Sequence, residues 1–190
     1  MRKIFKIILA IFATLIIIVV AFGAIILLDV AAYTATGSQT LTPTGASVGK
    51  AIVIYDPGLS GTSKGVADKV ASDLQTKGYT VTLAGVKSSA AGTTTGYKII
   101  VVGGPVYAGA LTGSIKDALA NLVLDQGAKI GVYGSGQGAT SPDDIAQIKQ
   151  SMPVSSDTIL QNAIVVKIGS SEDLNERAQD FVNQLILNQQ

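Results

Sequence analysis

The sequence Tyr55-Asp56-Pro57-Gly58-Leu59-Ser60-Gly61-Thr62-Ser63-Lys64 directly follows the short apolar run at residues 51–54. A buried strand that leads into a glycine- and hydroxyl-rich turn and then into a helix is how α/β proteins build phosphate sites. Backbone N–H groups and the positive end of the helix dipole converge at such a turn. Its three hydroxyl side chains suit a terminal phosphate monoester better than a pyrophosphate, which normally needs bare glycine. The pattern therefore favours a mononucleotide.

Five apolar runs predict the strands of one sheet. Four are continuous, at residues 51–55, 97–102, 128–133 and 163–168, and a fifth at 79–83 alternates apolar with polar residues. Continuous runs indicate strands buried on both faces, whereas alternation indicates a strand near an edge. Helical periodicity separates most of the runs, but between Leu83 and Tyr97 we expect a loop or a single helical turn. This order predicts an α/β fold with a five-stranded parallel sheet and helices on both faces.

Three glycine-rich segments follow predicted strands, at residues 56–63, 103–112 and 134–140. In a parallel sheet, ligands bind beyond the carboxyl ends of the strands, where such segments meet. The second segment carries Tyr107. Glycine backbone beside a tyrosine suits the planar ring system of a flavin. Glycines in turns also supply positive φ angles without binding any ligand. These residues alone are therefore compatible with two interpretations, a flavin site and a scaffold of the same fold that binds no flavin.

These segments resemble the loops of the flavodoxin family, over about residues 50 to 188. The family's phosphate loop has the form Ser/Thr-x-Thr-Gly-x-Thr, and residues 58–63 are similar to it with the first hydroxyl lost. Residues 104–109 are similar to the Gly-Ser-Pro-x-Tyr-x-Gly stretch of flavodoxin-like oxidoreductases, and residues 133–136 look like the third flavin loop. The resemblance implies a doubly wound sheet of strand order 2-1-3-4-5 and noncovalently bound FMN. The FMN-binding residues it implies are Gly58, Leu59, Ser60, Gly61, Thr62, Ser63, Gly104, Pro105, Val106, Tyr107, Ala108, Gly109, Tyr133, Gly134, Ser135 and Gly136.

Two of the polar residues in these segments have alternative interpretations. Asp56 brings a negative charge near the proposed phosphate, unless it caps a turn in which Pro57 holds the second place and Gly58 the third. We favour the turn, because both residues match its requirements. Tyr133 ends a predicted strand, where a ring contact and a place in the core are equally compatible with the sequence.

The composition excludes several kinds of chemistry. The chain has 190 residues and lacks histidine, cysteine and tryptophan. Without histidine or cysteine there is no Ser-His-Asp or Cys-His catalysis, no usual zinc site and no disulfide. We therefore predict no catalytic side chain and no metal ligand, so that any chemistry comes from a bound cofactor. The formal net charge of +1 and the lack of a long basic run argue against a nucleic-acid partner.

The N-terminal region predicts a single membrane span. Residues 7–28 are apolar and uncharged, and a helix of this length covers a hydrocarbon core of about 30 Å. Arg2, Lys3 and Lys6 precede the span and the next positive charge is Lys50, which places residues 1–6 in the cytoplasm and the rest outside. The alternative is a cleaved signal peptide ending near residues 30–32, but its apolar region is normally shorter. Residues 29–49 predict a flexible Ser/Thr-rich linker, and residues 50–190 form the flavodoxin-like domain.

Together these features predict a signal-anchored, single-pass cell-membrane flavoprotein. It would bind FMN and transfer electrons outside the cytoplasm to a redox partner protein that the sequence does not identify. The alternatives are a flavin-free flavodoxin-like scaffold or binding module, and an FMN-dependent oxidoreductase acting on NAD(P)H or quinones. The sequence offers no pyridine-nucleotide site, but Gly58 removes a phosphate donor and slightly favours the flavin-free alternative.

Overall fold

The five apolar runs form the parallel strands of one sheet, to which two short strands are added. The computed structural model describes residues 2–32, 35–154 and 158–187. The strands are β1 (Ser38–Leu41), β2 (Gly49–Tyr55), β3 (Tyr79–Gly85), β4 (Ile99–Tyr107), β5 (Ala110–Leu111), β6 (Lys129–Gly136) and β7 (Ile164–Gly169). The helices are α1 (Arg2–Ala32), α2 (Thr62–Thr76), α3 (Gly113–Ala120), α4 (Pro142–Ser151), α5 (Thr158–Gln161) and α6 (Leu174–Leu187). A 3₁₀ turn at Ser89–Gly92 lies in the segment where we expected a loop or a single turn.

The sheet order is β1-β3-β2-β4-β6-β7, with β5 paired to β4. Counting only the five parallel strands, this is the predicted order 2-1-3-4-5, which is confirmed. The additional strands β1 and β5 are antiparallel to their neighbours. We call the side at which the parallel strands end the carboxyl edge, and the opposite side the amino edge.

Alternate residues of each central strand face opposite hydrophobic layers. On β2, Val53 packs into the layer beneath α2 and α6, whereas Ile52 and Ile54 pack into the layer beneath α3 and α4. Phe181 of α6 and Ile148 of α4 are fully buried in these two layers. Because both faces are covered, the strands read as continuous apolar runs instead of alternating ones.

Strand β1 differs from the sequence prediction. Its residues lie within the expected linker of residues 29–49, but they pair antiparallel with β3, from Ser38 opposite Ala84 to Leu41 opposite Val81. Leu41 packs against the core layer of α2 and α6. The polar composition suggested a coil, but backbone hydrogen bonds to an otherwise open edge strand hold a segment that has little to bury.

The link from α1 joins the domain ahead of β1. The Lys87 N–H donates to the Ala35 carbonyl at 2.7 Å, and the Gly85 N–H donates to the Gly37 carbonyl at 2.8 Å. Both contacts lie at the carboxyl end of β3. Backbone hydrogen bonds to the sheet are therefore present from Ala35, earlier in the chain than the predicted boundary at residue 50.

Helix α1 is long and apolar enough to cross a membrane. The stretch Phe5–Leu27 has a mean hydropathy of 3.0, and none of it is buried against the rest of the chain. Its 23 residues rise about 35 Å as a helix, compared with about 30 Å of hydrocarbon. An N-terminal signal sequence has the same properties, so length and composition establish a helix of membrane-spanning size.

Candidate flavin site at the carboxyl edge

The first glycine-rich segment leaves the start of α2 open. Gly61 precedes the helix in a left-handed conformation, with φ 71°, and has no side chain to cap it, while the Ser60 hydroxyl accepts the Thr62 N–H at 3.4 Å. The first turn also contains no acidic residue. The first N–H groups of any helix lack an intrahelical acceptor, and together with the helix dipole they form a site for an anion. The start of α2 therefore has the donors that a phosphate group needs.

The three hydroxyls of this segment do not share one environment. Ser60 and Thr62 are exposed and their hydroxyl oxygens lie 2.9 Å apart, so they are available at the start of α2. Ser63 is buried, and its hydroxyl lies 3.3 Å from the phenol oxygen of Tyr133. Two of the hydroxyls are thus exposed at the start of α2, and the third is buried against Tyr133.

Asp56 is fully buried and its carboxylate is satisfied by hydrogen-bond donors of the protein. Oδ1 accepts the Gly58 N–H at 3.1 Å. Oδ2 accepts the hydroxyl of Thr112 at 3.3 Å and also that of Ser114. Gly58 has a φ of 62°, which favours glycine at this place. The structure thus supports the turn-capping interpretation of Asp56, and the carboxylate also ties the first segment to the start of α3.

The second glycine-rich segment is a β-hairpin. β4 continues to Tyr107, the chain turns at Ala108 and Gly109, and β5 returns with Val106 opposite Leu111 and Tyr107 opposite Ala110. Both turn residues have positive φ, 49° and 80°, as two-residue hairpin turns require. A Cβ added at Gly58 would lie 3.0 Å from Pro105, so the base of the hairpin touches the first segment. The half-buried Tyr107 and the exposed Ala108 form its tip.

The third segment lies mostly inside the sheet. Strand β6 runs through Gly136, and its residues 134–136 pair with β7 from Lys167 to Gly169. Tyr133 is fully buried, and its hydroxyl donates to the Ser63 carbonyl at 3.0 Å. Burial raises the pKa of this phenol above its ordinary value. Tyr133 is thus a core residue, and the exposed part of the third segment is residues 137–139.

The sixteen predicted residues therefore fall into three groups by exposure. Leu59, Ser60, Gly61, Thr62 and Ala108 are exposed, Gly58, Val106, Tyr107, Gly109 and Gly136 are half-buried, and Ser63, Gly104, Pro105, Tyr133, Gly134 and Ser135 are buried. The exposed and half-buried residues come mainly from the first two segments. The structure brings these two segments into contact, whereas most of the third lies in the sheet beside β4.

An ion pair between the buried Lys167 and the half-buried Asp144, which the sequence analysis missed, supports the third segment. The Lys167 ammonium donates to Asp144 at 3.0 Å and to the Ala139 carbonyl at 3.3 Å. Asp144 also completes a capping box with Ser141 at the start of α4. Hydrogen bonds from Ser141 and then from Lys167 lower the pKa of Asp144 to about 2. The available signals were a lysine within an apolar strand run and the helix start Ser-Pro-Asp-Asp. They are more than twenty residues apart in the sequence, so the pairing could not be predicted.

The loops of the carboxyl edge carry almost no charge. Residues 57–63, 103–115 and 130–142 contain no Asp, Glu, Lys or Arg. The nearest cation to the first segment is on Lys64, whose ammonium bonds Asp68 at 2.8 Å and lies 5.9 Å from the centre of the Tyr55 ring. The hydrogen bond to Asp68 raises the pKa of Lys64, so this side chain is a cation at neutral pH.

Two cavities lie near opposite edges of the sheet. One of about 850 Å³ lies at the amino edge and is lined by Val48, Lys98 and Lys129, among others. A smaller one of about 220 Å³ lies at the carboxyl edge, between Gly37, Tyr55 and Lys64. Ligands of parallel α/β sheets bind at the carboxyl ends of the strands. We therefore place the candidate site at the carboxyl edge, although the cavity there is smaller.

Comparison with solved structures identifies the class of fold. Oxidised flavodoxin 2 from Bacillus cereus is 19% identical over 73% of this chain and 99% of its own, with a TM-score of 0.52. A flavodoxin from Streptococcus pneumonia TIGR4 is 22% identical over 73% of this chain and 98% of its own, with a TM-score of 0.52. The apo form of an NADH:FMN oxidoreductase is 15% identical over 74% of this chain and 90% of its own, with a TM-score of 0.55. No protein-family model and no curated protein sequence matches the chain.

The protein thus has the doubly wound α/β fold of flavodoxins and of flavodoxin-like FMN proteins. The resemblance noted in the sequence is confirmed at the level of the fold. At these identities the fold does not by itself establish a bound cofactor, which has to be argued from the site.

Proposed function

We propose that this protein binds FMN noncovalently at the carboxyl edge and carries electrons on the outer side of a membrane. The observation that carries the proposal is the open start of α2, where the uncapped helix meets the exposed hydroxyls of Ser60 and Thr62. This donor set suits a phosphate dianion. It occurs in a fold whose neighbours include flavodoxins and an NADH:FMN oxidoreductase.

The residues present fit the two ends of FMN. The start of α2 and the adjacent residues Gly58–Thr62 would hold the phosphate. Asp56 would hold this loop in place through its hydrogen bond from the Gly58 N–H. The hairpin tip with Tyr107 and the end of β6 at Gly136 would flank the ring. When bound, FMN supplies reversible electron transfer, so the protein needs no catalytic side chain of its own. The chain's contribution is to bind, orient and partly shield the ring.

The location follows from α1 and from the placement of charge. Arg2, Lys3 and Lys6 precede the apolar stretch, and Asp29 follows it. The positive-inside rule then orients the domain to the extracytoplasmic side. Protease added to intact cells should degrade the domain. Full protection until lysis would reverse this topology.

A spectrum of the purified protein tests the cofactor. The full chain in detergent should show flavin absorbance, either as isolated or after addition of FMN, and titration should give a saturable dissociation constant. A chain that stays colourless with excess FMN, while circular dichroism shows it folded, contradicts FMN binding. That outcome would leave the flavin-free scaffold, the alternative that the missing hydroxyl at Gly58 favours.

A reductase is the second candidate, because an NADH:FMN oxidoreductase is among the structures with the same fold. Steady oxidation of NADH or NADPH by the FMN-loaded protein, with a quinone as acceptor, would indicate a reductase. Reduction only by an added electron donor, without such turnover, would indicate a carrier. The near-neutral charge of the chain predicts weak salt dependence for docking to a partner protein.

A further inference from the structure

The chain leaves α1 and joins the domain at the edge that carries the candidate site. Ala35 and Gly37 bond to Lys87 and Gly85, both at the carboxyl end of β3. β1 then runs antiparallel to β3, away from that end. Because β2, β3 and β4 are parallel, the loops that follow β2 and β4 project from the same edge as the link to α1.

The length of the link limits how far this edge can lie from a bilayer. The apolar stretch of α1 ends at Leu27 and the helix continues to Ala32. These last helical residues rise about 7.5 Å, which is about the thickness of one headgroup layer. From Ala32 to the bonded Ala35 the chain can extend by at most about 11 Å. Since strands are spaced about 4.8 Å apart, the ends of β2 and β4 lie only about 10 and 14 Å along the edge from β1.

The chemistry of the edge changes with distance from α1. Near the link it presents uncharged loops, a half-exposed Leu59 (50%), the exposed Lys87 and the exposed Lys64–Asp68 ion pair. The exposed carboxylates of Asp143 and Asp173 follow β6 and β7, and β7 lies about 24 Å from β1 along the sheet. An anionic bilayer attracts cations near its surface. This gradient favours contact through the β1–β4 side of the edge.

We propose that the short link holds the carboxyl edge, from β1 to β4, against the outer surface of the lipid bilayer. Leu59, at the tip of the first glycine-rich segment, lies at the level of the lipid headgroups. The domain therefore does not swivel freely at a distance from the membrane. This inference rests on the part of the proposed function that makes α1 a membrane anchor, and it does not depend on FMN.

The absence of cysteine from the sequence allows single-cysteine labelling in an otherwise native chain. Leu59→Cys places a fluorophore at the carboxyl edge. Val48→Cys is the matched control, because Val48 is similarly exposed (53%) and lines the cavity at the amino edge. Each full-length variant is reconstituted into phosphatidylcholine–phosphatidylglycerol vesicles that contain lipids with a nitroxide in the headgroup. The label at position 59 should lose most of its fluorescence, and the label at position 48 should lose little. Equal quenching at both positions, or none at position 59, overturns the proposal.

Two further measurements keep the possible failures apart. Flotation of the same samples tests the anchor: a chain that does not float with the vesicles overturns the anchor and the orientation together. A chain that floats while position 59 stays unquenched overturns only the orientation. Insertion of ten Gly/Ser residues between Ala32 and Ala35 adds a coil of about 17 Å. This insertion should reduce quenching at position 59 without affecting flotation, and unchanged quenching would show that the link does not hold the edge.

Discussion

The first and third glycine-rich segments have similar compositions but occupy different environments. Residues 58–63 leave the sheet after β2 and expose two hydroxyls at an open helix start. Residues 133–136 continue β6, where residues 133–135 pair with both β4 and β7 and Gly136 pairs with β7. The difference lies in where each strand ends, since β2 ends at Tyr55 whereas β6 continues three residues beyond Tyr133, which lies level with Tyr55 in the sheet. Small hydroxylated residues near the end of a strand are therefore exposed in a loop only where strand pairing stops.

The two tyrosines that the sequence predicted as flavin contacts, Tyr133 and Tyr107, test this difference most strongly. Tyr133→Ala should lower the free energy of unfolding by about 3–5 kcal/mol, because it removes a fully buried aromatic ring. Tyr107→Ala, at the half-buried hairpin tip, should have a much smaller effect on unfolding and should weaken FMN binding instead. Urea denaturation and FMN titration of both variants measure the contrast. Loss of FMN affinity in Tyr133→Ala without loss of stability would make Tyr133 a ring contact.

Within the first segment, the exposed hydroxyls should contribute to binding of the FMN phosphate, and the buried hydroxyl of Ser63 should not. The double variant Ser60→Ala/Thr62→Ala should weaken FMN by about 2–4 kcal/mol, because two hydrogen bonds to a charged group are lost and water partly replaces them. Riboflavin, which lacks the phosphate, should bind the variant and the wild type equally. Ser63→Ala serves as the control, with little change in FMN affinity. Parallel loss of riboflavin would show that the exposed hydroxyls stabilise the loop itself.

Glycine in the third segment should be required for packing. A Cβ at Gly134 would lie 2.4 Å from Val106 and 2.8 Å from Ile148. Gly134→Ala should therefore destabilise the fold by about 1–3 kcal/mol through overpacking. Gly92→Ala is the control, since a Cβ there meets nothing within 4 Å and its φ is not positive. Equal unfolding free energies for both variants would show that the third segment is not tightly packed.

Asp56 joins the first two segments and should influence stability more than FMN affinity. In Asp56→Asn the amide oxygen can still accept the Gly58 N–H, and the two hydroxyls can reorient toward the new amide. We expect a loss of about 1 kcal/mol of stability and nearly unchanged FMN binding. Tenfold tighter FMN binding in the variant, about 1.4 kcal/mol, would mean that the carboxylate repels the phosphate.

The smallest expected effect is a pH dependence of the stability, caused by Asp144 in the ion pair that supports the third segment. The pKa of Asp144 falls from its ordinary 3.8 to about 2 in the folded protein. Its ionised form therefore stabilises the fold above about pH 4, and this contribution is lost as the pH falls toward 2. Asp144→Asn should flatten the acid limb of a stability–pH curve measured by thermal unfolding. An unchanged acid limb would place the acid sensitivity in other carboxylates.

The sequence was sufficient for the parallel sheet, because burial on both faces produces apolar runs that are visible residue by residue. It was insufficient for β1, whose Ser38, Gln39 and Thr40 are exposed and are held through their backbone. It also could not separate Ser63 from Ser60, since the burial of Ser63 depends on Tyr133, seventy residues away. The hydrogen bond from Thr112 to Asp56 was missed for the same reason, because the two residues are far apart in the sequence. Polar contacts between distant segments leave no periodicity in a single chain.

The pairing of β1 also affects the order in which the molecule assembles. β1 is synthesised soon after α1, but Ser38 pairs with Ala84, which emerges several seconds later at translation rates of about 5–20 residues per second. During that interval the segment next to α1 has no partner strand. In a chain inserted through α1, the domain therefore completes its sheet after the anchor is in place.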